Sequence, residues 1–112
     1  MVSDADYALF EGAYRDLMRL TARAMSFKIG RTQLKDVPKL RSRREYKKAE
    51  QIIMLSAHIP GALADYVEWK LIDAAKRWPE KWGRYCTNQQ RGGGRRGSAP
   101  FHAVYLVVFE TC

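Results

Sequence analysis

The feature that most constrains the fold is a strand, a stop and a helix in the middle of the chain. Ile52-Ile53-Met54-Leu55 is a continuous apolar run, which is consistent with a strand over 51–59 buried on both faces. Pro60-Gly61 ends it, because proline cannot donate to a ladder and glycine favours turn geometry. From Ala62 to about Arg77, Leu63, Val67, Leu71 and Ala74/Ala75 recur at helical spacing, widened by Ala64 and Ile72, and Pro79 closes the segment. A strand joined this tightly to an amphipathic helix commits the chain to layers of mixed secondary structure.

The flanking sequence fills those layers. Leu9, Tyr14, Leu17 and Leu20, interleaved with Ala8, Ala13 and Ala24, predict a helix over 5–24 with Ser3 or Asp4 as N-cap. Gly12 weakens that reading, and a strand over 7–10 turning at Glu11-Gly12 competes with it. Segment 25–31 carries Phe27 and Ile29 and reads as a short strand ending at Gly30. Val37 and Pro38 open a highly charged helical segment running to about Lys48, whose large apolar members are Leu40 and Tyr46, so it should lie on the surface with a narrow stripe inward. Ala103-Val104-Tyr105-Leu106-Val107-Val108, inside 102–109, reads as a buried strand. At 112 residues the chain fits one domain, 1–112, burying roughly two-thirds of its unfolded surface. The expected class is α+β, with a three-stranded mixed or antiparallel sheet flanked by helices and an irregular Arg/Gly loop over 91–98.

Charge narrows the partners. The chain carries a formal net charge of +8, from 20 Lys and Arg against 12 Asp and Glu. Between Arg31 and Lys48 stand eight cations against Asp36 and Glu45, and Arg84, Arg91, Arg95 and Arg96 form a second basic stretch. Such clustering favours a polyanion, because each neutralised phosphate releases condensed counterions; a merely solvated basic face is the plainer alternative. Cys86 and Cys112 have no zinc spacing and read as reduced thiols. No run approaches the ~18 apolar residues of a membrane span, so no membrane is expected as a partner and the expected location is cytoplasmic. Trp78 and Trp82 read as core residues. The 91–98 loop reads equally as flexible chain or as a base-stacking surface. His58 closes one strand and His102 opens another, where a histidine most often completes a hydrogen bond at the sheet margin.

Glu68 stands at the edge of the helical stripe, between Ala64 and Ile72 at i−4 and i+4. A carboxylate there must be paired, hydrated or bound to a cation; a salt bridge to a nearby Lys or Arg is the structural reading.

Phe27-Lys28-Ile29-Gly30-Arg31-Thr32, the basic segment with Arg41, the strand and turn Ile52 through Gly61, and Glu68 in Ala64-Asp65-Tyr66-Val67-Glu68 resemble the GIY-YIG nuclease superfamily, in the branch with KIG in place of YIG. The resemblance spans about half the chain. It implies Glu68 as ligand of Mg²⁺ or Mn²⁺ and Arg41 as the arginine that steadies the scissile phosphate, with Arg43 as the fallback. Lys28 falls where many relatives have the second tyrosine, and Gly30 is the motif glycine. Asn88 matches a late asparagine of some members. The first motif, Gly-x-Tyr on a strand, has three candidates: Tyr14 in Gly12-Ala13-Tyr14, which is preferred, Tyr7, and Tyr105 on the last strand in a permuted arrangement. Lys28, Arg31, Arg43, Arg44, Asn88, Arg91, Arg95 and Arg96 are the expected nucleic-acid contacts.

The implied chemistry is metal-assisted hydrolysis of a phosphodiester, in DNA first and RNA second: a tyrosine phenolate or a metal-bound water as general base, the cation at the departing oxygen and an arginine on the phosphate. The alternative is an inactive basic module that binds nucleic acid or a nucleoprotein, as a phage or mobile-element protein interfering with host machinery would. A third reading is an interaction protein whose positive face docks on an acidic protein partner, or a homodimer.

Overall fold

The computed structural model describes residues 3–77 and 100–111. In chain order these form α1 (Asp4–Leu20), β1 (Ala24–Gln33), two 3₁₀ segments (Leu34–Ser42 and Arg44–Tyr46), β2 (Gln51–Pro60), α2 (Gly61–Arg77) and β3 (Phe101–Thr111). The α+β class and the three-stranded sheet are as expected, and every pairing is antiparallel, in the order β1-β3-β2.

α1 settles the competition at the N-terminus in favour of helix. Ser3 caps it: its hydroxyl accepts from the Asp6 N–H at 3.1 Å, and the Asp6 carboxylate accepts from the Ser3 N–H at 3.5 Å. This reciprocal cap satisfies two N–H groups that the first turn leaves without partners. Phe10, Ala13 and Leu17 face inward, while Gly12 sits in open space. The helix stops at Leu20, where the Thr21 hydroxyl donates to the Leu17 carbonyl at 2.6 Å.

Of the two apolar runs that read as buried strands, one is an edge strand and the other is central. β2 is an edge strand whose Ile52, Ile53 and Met54 are half-buried. The central strand is β3, where Ala103 through Val108 are all buried, because it has a neighbour on each side and a layer on each face. β1 runs on past Gly30 to Gln33, so the glycine lies inside the strand and not at its end.

The two faces carry separate cores. Against α1 and α2 pack Phe27 and Ile29 of β1, Val104, Leu106 and Val108 of β3, and Leu55 and Ile59 of β2, with Leu17, Val67 and Leu71 from the helices. On the opposite face Tyr105 and Val107 meet Leu40, Tyr46 and Ala49. That cover is 3₁₀ and not the expected helix over 37–48. Pro38 lies inside it, and the inward residues recur every third position: Leu34, Val37, Leu40, Arg43, Tyr46, Ala49 are buried or half-buried. The N–H groups of Arg43, Tyr46 and Ala49 each donate to the carbonyl three residues back, at 3.1, 3.0 and 3.2 Å. A three-residue period eclipses side chains at i and i+3, which is the 3₁₀ geometry. Among the described residues no helix is long and apolar enough to cross a membrane.

Candidate functional site

Gly30 pairs with Tyr105 across β1 and β3, and the absence of a side chain at Gly30 decides what can lie above it. A Cβ there would collide with Cζ and Oη of Tyr105 and come within 2.7 Å of its Cε2. The tyrosine ring therefore occupies the space over the KIG strand. Its Oη accepts from the Arg43 guanidinium at 3.2 Å and shares a hydrogen bond with Tyr46 Oη at 2.8 Å. Arg43 also reaches Thr32 Oγ1 at 3.5 Å. Lys28 and Arg43 both lie over the Tyr46 ring, 5.5 and 5.9 Å from its centroid.

Two cations, two tyrosine hydroxyls and a threonine thus meet on the 3₁₀ face of the sheet. Among the described residues neither Lys28 nor Arg43 has a carboxylate within ion-pair distance; aromatic faces stand where acids usually would. Burial is the main reason the Tyr105 hydroxyl is held well above its ordinary pKa of 10.0, with the Tyr46 hydrogen bond adding to it and Arg43 opposing it. At neutral pH it is a protonated phenol.

The helix face carries an ion pair. Arg31 extends from β1 toward α2, with Nε 3.5 Å from Glu68 Oε1 and a terminal nitrogen 3.9 Å from Asp65 Oδ1. The side chains of Arg31 and Glu68 are 5% and 7% exposed, that of Asp65 39%. Burial raises the Glu68 pKa, Arg31 pulls it back down, and Lys28 adds a weaker pull in the same direction. The charge of Glu68 is in turn felt at Tyr105, so the groups on the two faces interact across β1.

The structure brings together Lys28, Gly30 and Arg43 from the expected set, and Tyr105 from among the three tyrosines, on the 3₁₀ face; Glu68 lies on the helix face, paired with Arg31. Tyr14 lies on α1, its ring stacked on Phe10 at 5.9 Å, in the helix layer. Tyr7 is exposed at the same end of α1. Arg41 is exposed and out of phase with the three-residue period, so Arg43 and not Arg41 faces the sheet. Arg31 is buried against acids, not displayed for phosphate, whereas Arg44 is exposed. Asn88, Arg91, Arg95 and Arg96 lie outside the described residues, as do Trp78, Trp82, Tyr85, Cys86 and Cys112. Tyr46, Thr32 and Asp65 are members that sequence reasoning missed.

The histidines differ from expectation. His58 is exposed, with a positive φ of 59°, between irregular pairings of β2. His102 is 1% exposed, beside its strand partner Gln33, and neither ring nitrogen has a hydrogen-bond partner among the described residues.

No described group of three or more His, Cys, Asp or Glu could hold a metal ion. Glu68 and Asp65, one helical turn apart on α2, both face the Arg31 guanidinium, which stands between them. Mg²⁺ is commonly held by one or two carboxylates and its own water.

The fold and these two clusters define a small α+β domain with a cationic tyrosine-arginine face. Comparison with protein-family models, with curated proteins and with solved structures found no match to the chain.

Proposed function

We propose that the chain is a metal-dependent endonuclease of the GIY-YIG type acting on DNA, with RNA as a further substrate, its reactive groups being Tyr105 and Arg43 on the 3₁₀ face of the sheet and Glu68 on the helix face. The observation that carries this reading is the stacking of Tyr105 Oη over Gly30 within reach of Arg43. It supports the permuted arrangement, in which the last strand supplies the first-motif tyrosine. Lys28 and Arg43 have no carboxylate partner and are suited to take two oxygens of a phosphodiester, Arg43 through parallel N–H donors. Negative charge growing on the phosphate during attack is stabilised by the same guanidinium, a contribution worth on the order of 10²-fold in rate. Tyr105 Oη orients the attacking water. Because its pKa is raised, it does so as a protonated phenol that keeps its own proton, and the proton lost by the attacking water passes to bulk solvent. When bound, Mg²⁺ or Mn²⁺ supplies charge neutralisation at the departing oxygen, and Glu68, with Asp65 beside it, is the group to hold it.

A plasmid-nicking assay in Mg²⁺ or Mn²⁺ against EDTA tests the reading. The parent chain should nick, whereas Glu68→Ala, Arg43→Ala and Tyr105→Phe should lose cleavage, with Glu68→Ala keeping DNA affinity. Equal nicking by parent and Glu68→Ala removes the assignment.

A second reading, a module that binds nucleic acid without cleaving it, is favoured by the neutral Tyr105 and the Arg31-paired Glu68. It predicts steeply salt-dependent DNA binding and no metal-dependent nicking.

A further inference from the structure

We propose that the 3₁₀ face is a receptor for a terminal phosphomonoester: it takes the phosphorylated end of a nucleic-acid strand in preference to the internal diester backbone. The inference rests on the polyanion reading for the class of ligand and narrows it to strand ends. It uses neither the helix face nor a metal.

Charge points to a dianion. Lys28 and Arg43 are half-exposed and share one aromatic ring, that of Tyr46, at 5.5 and 5.9 Å from its centroid. An anion that reaches one of them therefore lies in the field of the other, inside the roughly 8–10 Å over which salt screens charge. Glu68 is the acid whose charge interacts with Lys28 and Tyr105, and it is paired with Arg31 on the helix face at 3.5 Å. Lys28 and Arg43 have no carboxylate in ion-pair range among the described residues, so two positive charges remain to be matched. A backbone diester carries one negative charge and leaves a cation over. A phosphomonoester, with a second pKa of about 6, carries close to two at neutral pH.

The hydrogen-bond donors agree. The contacts of the Arg43 guanidinium are the neutral oxygens of Tyr105 at 3.2 Å and Thr32 at 3.5 Å. They orient its plane while leaving its charge and its other N–H groups to a ligand. The Tyr46 and Tyr105 hydroxyls place one of their two protons in the 2.8 Å contact between their oxygens, and the other has no acceptor among the described residues. Lys28 adds an ammonium. A cluster with donors to spare suits a group with three terminal oxygens better than one with two. Such an end is also what the proposed cleavage leaves: water adds across one P–O bond, and the two new ends are a phosphomonoester and a hydroxyl. The cut strand is then held more tightly than the intact one.

The test is fluorescence anisotropy of the full chain with short single-stranded DNA at fixed salt in EDTA, so that binding is read without cleavage. The strands differ at one end only: 5′-phosphate, 3′-phosphate, the corresponding hydroxyls, and the methyl ester of each phosphate, which keeps the group but carries one charge. A phosphate end should bind at least about fivefold tighter than its hydroxyl counterpart, the worth of one further partly exposed charge pair, and the arm that gains identifies the end. The methyl ester should bind like the hydroxyl strand. Lys28→Gln, a change at a half-exposed position that should melt like the parent, should remove the preference, and so should Arg43→Gln. A gain below about fivefold in both arms overturns the receptor, as does a methyl ester that binds as tightly as the free phosphate, or a preference that survives both substitutions. Plasmid nicking in Mg²⁺ is a separate readout: its absence removes the nuclease reading and leaves the end preference to the binding data, whereas failure to bind any strand overturns both the preference and the polyanion reading beneath it.

Discussion

The two faces of the sheet handle positive charge in opposite ways. Under the helices a single buried cation, Arg31, is balanced by Glu68 and Asp65. Under the 3₁₀ segments two cations, Lys28 and Arg43, rest on tyrosine rings, with no acid in ion-pair range among the described residues. The buried charges of the helix face are therefore paired with one another, whereas the 3₁₀ face retains cations with no acid in range among the described residues. The same strand, β1, supplies both: Arg31 points one way, and Lys28 and Thr32 the other, as strand alternation requires. One basic motif is thus divided between a cation paired with acids and a cation resting on an aromatic ring by the parity of residue number.

The largest expected effect breaks the helix-face half of that contrast. Arg31→Ala leaves the Glu68 carboxylate buried without its main partner, a class of change that costs about 3–5 kcal/mol. Denaturant unfolding should register that loss. Restoration of most of it by adding Glu68→Gln identifies the cause as the orphaned charge, whereas an equal loss in the double variant attributes it to packing of the arginine stem.

Gly30→Ala comes next and attacks the other face. The new Cβ meets the Tyr105 ring, and overpacking of this kind costs about 1–3 kcal/mol. Displacement of the ring should also break the contact of its hydroxyl with Arg43. A thermal melt together with tyrosine fluorescence should show a lowered Tm and an altered Tyr105 environment. An unchanged melt would mean that the ring has room to move aside.

How much of this was legible in the sequence differs between the faces for a physical reason. The helix face follows from side-chain periodicity: Val67 and Leu71 recur at the α spacing, and Glu68 next to them was recognised as a carboxylate in need of a partner. The partner was hidden, because Arg31 and Glu68 meet only through the packing of α2 on β1. On the 3₁₀ face the signal was present at a different period. Leu34, Val37, Leu40, Arg43 and Tyr46 repeat every three residues, a period that turns Arg43 toward the sheet and leaves Arg41, the residue the family resemblance implied, exposed. Ile52-Ile53-Met54-Leu55 and Ala103 through Val108 look alike as apolar runs and both read as buried strands; which of them is central depends on strand order, a long-range property. Tyr105 lies beside Gly30 for the same reason, since it is the pairing of β3 with β1 that sets the two opposite one another.

Binding offers a finer test of the comparison. If the 3₁₀ face meets phosphate, Arg43→Ala should weaken DNA affinity across sequences and reduce the salt slope by about one. Arg31→Lys, which keeps a cation in a buried pair, should leave the slope unchanged. Filter binding or fluorescence anisotropy over a salt series measures both. Equal slopes for parent and Arg43→Ala would remove Arg43 from the interface.

The smallest effect concerns pH and separates the ion pair from the burial that surrounds it. Burial raises the Glu68 pKa more than Arg31 lowers it, so the folded chain binds this proton more tightly than the unfolded chain does. Stability from this group is then fully present below the ordinary glutamate value of 4.5 and is lost as pH rises through the raised native value. Glu68→Gln carries no such proton, so its Tm should gain on that of the parent chain as pH climbs from about 4 toward neutrality. A parent chain that instead gains on Glu68→Gln over that range would show that attraction by Arg31 outweighs desolvation. The helix face would then owe part of its stability to the charged pair itself, and the contrast with the 3₁₀ face would be sharper than burial alone makes it.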